Sequence, residues 1–483
     1  MIQGTTSDAG KSTIALGIYR LLKRAGKKVA PFKPQNMSLN SAVTTEGGEI
    51  GRAQALQAIA CGIEPHSDMN PVLLKPNSNS SAQVIIQGKV WKDFDAQQYH
   101  ASKQGIMPIV MDSFDRLRSI YDYVVVEGAG SPAEINLRDN DIANMGFAQA
   151  ANVPVLLIAD IDRGGVFAHL YGTYYALDLH EQYLIKGLLI NKFRGDLTLL
   201  EPGIKWLERK TTTPVLGVMP YLSQLVLDAE DSLSQRRGQS SDTRSERCVQ
   251  IVVPQTPRIS NHTDFEPLLA DARAKLIYCH DPPVQGCDLV ILPGSKSVMS
   301  DLGWMRAHCW EDFIRRHLRY GGRLIGICGG FQMLGDSILD PYKMESDCRE
   351  YRGMHLLQMK TEMTPVKKLA RVSGRFTKLD NASVTGYEIH MGESSGLALA
   401  SPLAMLDDCR SEGAISADGQ ILGTYMHGLF DQAEARNAIL KWCGSGSEET
   451  VDFGQLREDS IDAVADAIMA HTDWKRICAF FDS

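Results

Sequence analysis

The sequence predicts two α/β domains in succession, each an open, mostly parallel sheet flanked by helices, joined by a polar linker. Three observations carry this. A glycine-rich loop, Gly4-Thr5-Thr6-Ser7-Asp8-Ala9-Gly10-Lys11-Ser12-Thr13, stands between a strand stub and a helical run. Short β-branched apolar runs, each ending in a polar or small-residue turn, alternate with helical segments through both halves of the chain. That is the pattern of parallel strands buried on both faces and joined by crossover helices. The 483 residues also exceed what one hydrophobic core organises.

Composition narrows the function classes. Apolar content of 44% and charged content of 22% are ordinary for a globular protein. A net charge of −8 argues against nucleic acid as the main partner. No apolar run reaches the roughly 18 residues of a membrane span. The N-terminus is already the glycine-rich loop, so no secretory leader is expected. Ten scattered cysteines without a C-x-x-C pair point to reduced thiols in a cytoplasmic protein, not to a disulfide frame or a zinc site.

In the glycine-rich loop, backbone N–H groups turn inward and the dipole of the following helix favours anions. Lys11 is placed to reach outer phosphates and Ser12 to hold Mg²⁺, so the loop predicts ATP binding through Gly4, Thr6, Gly10, Lys11, Ser12 and Thr13. Five residues separate Gly4 from Gly10, one more than in G-x-x-x-x-G-K-[ST]. The helix runs through Ile14, Leu16, Ile18, Leu21 and Leu22 and closes at Gly26.

A second strand, 27–32, delivers the polar loop Lys33-Pro34-Gln35-Asn36 to the sheet edge where ligands bind in open parallel sheets. Lys33, Gln35 and Asn36 are candidate substrate contacts there. Residues 49–60 read as helix, 72–76 and 83–87 as strands, and 95–121 as helix interrupted near Pro108. The strand Tyr123-Val124-Val125-Val126 ends in Glu127, a carboxylate suited to Mg²⁺ beside bound phosphates. A buried strand over 153–160 leads into Asp160-Ile161-Asp162-Arg163-Gly164-Gly165, where Asp162 and Arg163 are candidate substrate contacts. The strand 185–190 ends in Asn191-Lys192-Phe193-Arg194-Gly195-Asp196. This is similar to an N-K-x-D base-reading loop with its Asp displaced, and Asn191 is its candidate nucleotide contact. The strand 215–219 closes a first domain of residues 1–230. Residues 231–247 are polar and poor in apolar side chains, and read as linker.

The second domain spans 248–443. It restarts with a strand at 248–253, and a further buried strand, 288–292, ends in the Gly294-Ser295 turn. Then Arg323-Leu324-Ile325-Gly326-Ile327-Cys328-Gly329-Gly330 places a cysteine between strand and helix, in the manner of a nucleophile elbow. The helix start beyond it favours thiolate. The Gly329 N–H, with one from the Gly294 turn, would form an oxyanion hole. A cysteine nucleophile needs a base, and His427, just past a short strand, fits Cys–His acyl chemistry. His390 is a rival base. Residues 444–483 form a helical tail of unassigned role.

Taken together, the P-loop, the Phe32-Lys33-Pro34-Gln35-Asn36-Met37 loop, the run Val126 to Glu134, Asp160 to Gly165, Cys328 to Gly335 and Tyr425 to Phe430 resemble the cobyric acid synthase family of corrinoid amidotransferases. The long loop and Lys33-Pro34 are also similar to dethiobiotin synthetase. The resemblance implies a P-loop NTPase-like domain followed by a class I-type glutamine amidotransferase domain. It implies ATP, Mg²⁺ and glutamine, and amidation of the b, d, e and g carboxylates of adenosylcobyrinic acid a,c-diamide. Relatives of the amidotransferase class carry a Glu two residues after the His; here that position is Leu429, so what orients His427 is open. Two alternatives stand beside this reading. One is the related synthase that amidates the a and c carboxylates. The other is a ParA- or MinD-like ATPase switch, which carries a second lysine where this chain has Thr6. The sequence gives no oligomeric state.

Overall fold

The first strand of the chain, Ile2–Gly4 (β1), lies in the middle of a parallel sheet and ends in the glycine-rich loop. In this computed structural model all residues are described except 78–80, 224, 228–247, 347, 447–450 and 482–483. The expected linker, 231–247, therefore lies outside the described residues.

Two units make up the chain. The first comprises Met1–Ser38, Thr44–Leu227 and Leu456–Ser483. After β1 come the helix Lys11–Arg24 (α1), then Val29–Phe32 (β2), Tyr123–Val126 (β3), Val155–Asp160 (β4), Ile185–Phe193 (β5) and Val215–Pro220 (β6). β2 pairs with β3, β3 adjoins β1 through an Ile2–Glu127 bridge, and β1, β4, β5 and β6 follow in order, all parallel. All six residues of β4 are buried, as its unbroken apolar run predicts for a strand covered on both faces. The loop after β1 thus sits at the centre of the sheet's C-terminal edge, where the chain turns to build outward in both directions.

A smaller sheet of Gln35–Met37, Val72–Pro76, Ser81–Ile86 and Lys89–Asp95 extends this unit. The last of these strands was not anticipated, since its KVWKDFD sequence is mostly exposed and charged. The helix Ala96–Ile120 runs unbroken through Pro108, where an interruption was expected. A proline forfeits one backbone bond and crowds one turn. Burial of Ile106, Val110, Phe114 and Leu117 holds the helix together across that defect.

The tail is part of the first unit's core. Ile461, Val464, Ala465, Ile468 and Ile477 are buried in one cluster with Ile14, Ile18 and Leu21 of α1. Burying each such side chain stabilises by roughly 1.5–3 kcal/mol. Gly17 lets the helices meet: a Cβ there would stand 2.5 Å from Ile468 Cδ1. Arg20 pairs with Glu458 at 2.6 Å along the same seam.

The second unit comprises Leu39–Val43 and Asp228–Gln455. Its main sheet takes Val249–Pro254 (β7), Ala274–Cys279 (β8), Leu289–Leu292 (β9), Arg323–Ile327 (β10), Ala414–Ile415 (β11) and Ile421–Thr424 (β12) in the order β8-β7-β9-β10-β12-β11, parallel except for β11. Beside it lies a mostly antiparallel sheet that periodicity did not announce. It is built on the long hairpin Lys360–Phe376 with Ser383–Ser395, and the latter strand pairs with Met426–His427. Within four residues the chain leaves β12 of one sheet and joins the other, which delivers His427. Among the described residues no helix is long and apolar enough to cross a membrane.

Candidate active site

Cys328 occupies the turn between β10 and the short helix Gly329–Met333 with φ 51° and ψ −106°, a conformation that is strained for any side chain. Strain of this kind is typical of a nucleophile elbow. The glycines that follow allow close packing. A Cβ on Gly330 would fall 2.2 Å from the Leu292 carbonyl, and one on Gly329 would fall 2.9 Å from Ser295 N. The Gly294-Ser295 turn is held by pairing with Ile259–Ser260. The two backbone segments expected to form the oxyanion hole are therefore in contact.

His427 is 1% exposed, and a Cβ on Gly294 would lie 3.0 Å from its Cε1. Its Nδ1 stands 2.7 Å from Asp264 Oδ2, and Asp264 Oδ1 accepts the Gly428 N–H at 3.0 Å. Asp264 comes from the 3-10 turn His262–Phe265, after the αL residue Asn261. This carboxylate does what the missing Glu at Leu429 would do; Leu429 itself is a buried core residue. With Nδ1 committed, Nε2 is the atom left for Cys328. Burial pushes the imidazole pKa down. The Asp264 carboxylate and attraction and hydrogen bonding to Cys328 outweigh it, bringing the value up to about 10. The imidazole therefore keeps its proton at neutral pH. Tyr387 stacks on the His427 ring at 5.5 Å.

His390, the rival base, donates from Nδ1 to the Gly392 carbonyl at 2.7 Å and stacks on Tyr425. Its Nε2 lies 3.9 Å from Glu388. His427 alone of the two carries a carboxylate on Nδ1 together with a contact to Cys328.

In the first unit a second constellation forms behind β1. Gly10 has φ 95° and caps the start of α1. Lys11 Nζ donates to the carbonyls of Thr6, Ser7 and Gly130 at 3.0–3.1 Å. Ser12 Oγ donates to Glu127 Oε1 at 2.8 Å. Glu127 is fully buried, and also receives Lys33 Nζ at 3.0 Å and the Gln57 side-chain amide. Two hard oxygen donors, a hydroxyl and a carboxylate, thus meet at a helix N-terminus beside a lysine. Such a donor set fits a magnesium nucleotide.

The other expected contacts are distributed as follows. Asn191 Nδ2 donates to the Ala9 carbonyl at 2.9 Å, so this amide braces the loop. Lys192 bridges the Asp8 carbonyl and Asp160. Arg163 pairs with Asp8 at 2.9 Å, and Asp162 with Arg194 at 2.9 Å, both near the surface. Gln35 accepts from Tyr99, and Asn36 donates to Gln54. Lys33, expected to contact substrate, is drawn to Glu127. Sequence reading missed Asp264, Gln57 and Asn144. The last grips both the N–H and the carbonyl of Ala129 in the loop after Glu127. A short polar run such as Asn261-His262-Thr263-Asp264, between apolar strands, is the one signal that pointed at Asp264.

Two α/β units, one with a P-loop and one with a cysteine elbow, are the parts of a nucleotide-binding domain joined to a glutamine amidotransferase domain, and the family models support an amidotransferase or ligase. Residues 1–234 match the family model described as the CobQ/CobB/MinD/ParA nucleotide binding domain. Residues 250–435 match that of the CobB/CobQ-like glutamine amidotransferase domain. This pair of domains is consistent with the CobQ/CobB family. Among solved structures, the chain is similar to one described as a crystal structure of glutamine amidotransferase, at 20% identity over 40% of this chain and 99% of that one, TM-score 0.33. It is similar to PurLQS from Thermotoga maritima at 16% identity, over 44% and 97%, TM-score 0.30. It is also similar to the signal recognition particle receptor FtsY from Elizabethkingia anophelis in complex with GDP, at 14% identity, over 45% and 55%, TM-score 0.27.

Proposed function

We propose that this chain is a glutamine-hydrolysing, ATP-dependent amide ligase that converts the b, d, e and g carboxylates of adenosylcobyrinic acid a,c-diamide to amides, as cobyric acid synthases do. The observation that carries the amidotransferase reading is the Cys328–His427–Asp264 triad on a chain that also bears Ser12 bonded to Glu127 behind a P-loop. The corrinoid acceptor rests on the domain families and on the motifs that resemble that family.

The chemistry divides between two sites. Cys328 thiolate attacks the glutamine side-chain amide carbon while the oxyanion is held by the Gly329 and Gly294-turn N–H groups. His427 passes its proton to the leaving ammonia, and water then releases glutamate from the thioester. At the P-loop, a substrate carboxylate attacks the γ-phosphate of ATP, giving an acyl phosphate and ADP. Ammonia displaces phosphate and leaves the amide. Lys11 and the helix start of α1 hold the phosphates, and Ser12 with Glu127 would hold Mg²⁺, which neutralises charge on them. Catalysis of this step is positioning and charge neutralisation.

Product mass after incubation with the a,c-diamide, Mg-ATP and glutamine tests the proposal, with Cys328→Ala beside the unmodified chain. Stepwise carboxylate-to-amide mass changes are expected. The variant should work with ammonium and not with glutamine. An unaltered corrinoid despite ATP hydrolysis would overturn the acceptor assignment.

A further inference from the structure

We propose that His280, Asp281 and His308 form a zinc site on the second unit, fastening the end of β8 to the end of the helix Val298–Ala307. Neither active site uses these residues, and the cysteine and histidine spacing of the sequence predicts no such site. Among the described residues they are the one group of three His, Cys, Asp or Glu side chains whose ligand atoms all lie within 4.8 Å of one another. Two imidazoles and a carboxylate are zinc's usual partners, and three protein ligands leave a fourth position for water.

The geometry is that of a prepared site. His280 Nδ1 and Asp281 Oδ1 are 3.3 Å apart. Two donors that each lie about 2.0–2.1 Å from a tetrahedral ion are separated by about that distance. A charge-assisted hydrogen bond would be shorter, about 2.7–2.9 Å. His308 Nδ1 lies 2.8 Å from the Trp304 carbonyl. A carbonyl only accepts, so Nδ1 carries the proton and Nε2 carries the lone pair. Metal-binding histidines are fixed in this way by a backbone carbonyl behind the ring.

The surroundings hold the ligands in place. The His308 ring stacks on Trp304 at 4.1 Å, and His280 meets both rings edge-on at 4.6 and 5.0 Å. The His280 carbonyl accepts the indole N–H of the fully buried Trp310 at 2.9 Å. His308 is also the C-cap of a ten-residue helix, whose dipole places partial negative charge where the cation would sit. His280 and Asp281 are exposed, which gives the ion an open path.

Zinc titration by calorimetry tests this on the full chain carrying Cys328→Ala, so that the nucleophile does not compete for metal. His280→Ala, Asp281→Asn and His308→Ala are compared on that background. One Zn²⁺ per chain is expected, weakened at least ~10-fold by each ligand variant, as loss of a metal contact or its support typically does. Cobalt in place of zinc should give the visible absorption of a tetrahedral ion, and the His308→Ala variant should abolish it. Because the side chains lie near the surface, melting curves in chelator should be the same for all variants. The proposal is overturned if no zinc binds, or if it binds with an affinity that the three substitutions leave unchanged.

Discussion

Asp264 Oδ2 lies 2.7 Å from His427 Nδ1, and the same carboxylate holds the Gly428 N–H. The base is thereby fixed in tautomer and in position, although the usual Glu position holds Leu429. Asp264→Asn keeps the shape and loses the charge. The variant should lower glutaminase kcat by roughly 100-fold or more, as loss of the orienting carboxylate does in other triads. Ammonium-supported amide formation should persist. A glutaminase rate within a factor of a few of the unmodified chain, about a 1 kcal/mol effect at most, would remove Asp264 from the triad.

The raised pKa of His427 fixes a pH dependence. An ordinary histidine loses its proton near 6.5, whereas Asp264 and Cys328 hold that of His427 to about 10. The imidazolium therefore persists through neutral pH, and the stability that its pairing contributes is fully present below 6.5 and fades as pH rises through about 10. Thermal melts of the unmodified chain and Asp264→Asn should differ most at the acid end of this window and converge at its alkaline end. A gap that widens with pH would contradict the assignment.

Much of both sites was legible because their chemistry is local. Glycines around Lys11 and around Cys328, and an acid at the end of Tyr123–Val126, are readable one segment at a time. Asp264 was not, because it reaches His427 across 163 positions of sequence from a short turn that no periodicity marks. Lys33 was read as a substrate contact, and its bond to Glu127 was not foreseen because it needs β2 and β3 paired. The tail's helical character was plain. Its burial against α1 was not, because amphipathicity names a face and not the partner of that face.

The Lys33–Glu127 pair is buried on both sides. Glu127→Gln takes one anion from a buried lysine, and breaking a buried pair on one side costs roughly 3–5 kcal/mol. It should also end ATP-dependent amidation while sparing glutamine hydrolysis. Adding Lys33→Met removes the lysine charge, so the double variant should unfold at higher urea than Glu127→Gln alone. Equal or lower stability of the double variant would show that the ammonium draws its support from elsewhere.

Gly17 separates two opposing effects. Alanine there gains about 1 kcal/mol of helix propensity, but its Cβ meets Ile468 Cδ1 at 2.5 Å and Val464 Cγ1 at 2.8 Å. Ile468 Cδ1 can swing aside, but Val464 Cγ1 stands on a stiff branched Cβ and the Ala465 backbone N is 3.3 Å away, so overpacking outweighs propensity and Gly17→Ala should destabilise by roughly 1 kcal/mol. Gly17→Val adds two more methyl groups to the same seam and should cost more than alanine, toward the upper end of the roughly 1–3 kcal/mol usual for overpacking. Urea unfolding of the two variants measures both. A neutral valine would mean that the tail is not packed on α1.

Glu412 gives the same pH sign as His427, in a lower window and from a different cause: its charge is penalised by burial, whereas that of His427 is held by a partner. Its carboxylate is buried beside β12, accepting from Thr424 Oγ1 at 2.9 Å and from the Tyr425 N–H at 2.7 Å. Burial raises its pKa from 4.5 to about 7, and the neighbouring Glu388 adds to the rise. The folded state therefore binds a proton that the unfolded state has released between those values. Stability should fall as pH climbs from 4.5 to about 7, then stay level as far as this group is concerned. Glu412→Gln can still accept from Tyr425 N–H and has no charge to bury. Its urea midpoint should lack this decline and match or exceed that of the unmodified chain above pH 7. A variant that is less stable only on the alkaline side would mean that the ionised carboxylate strengthens the fold, which reverses the sign argued from burial.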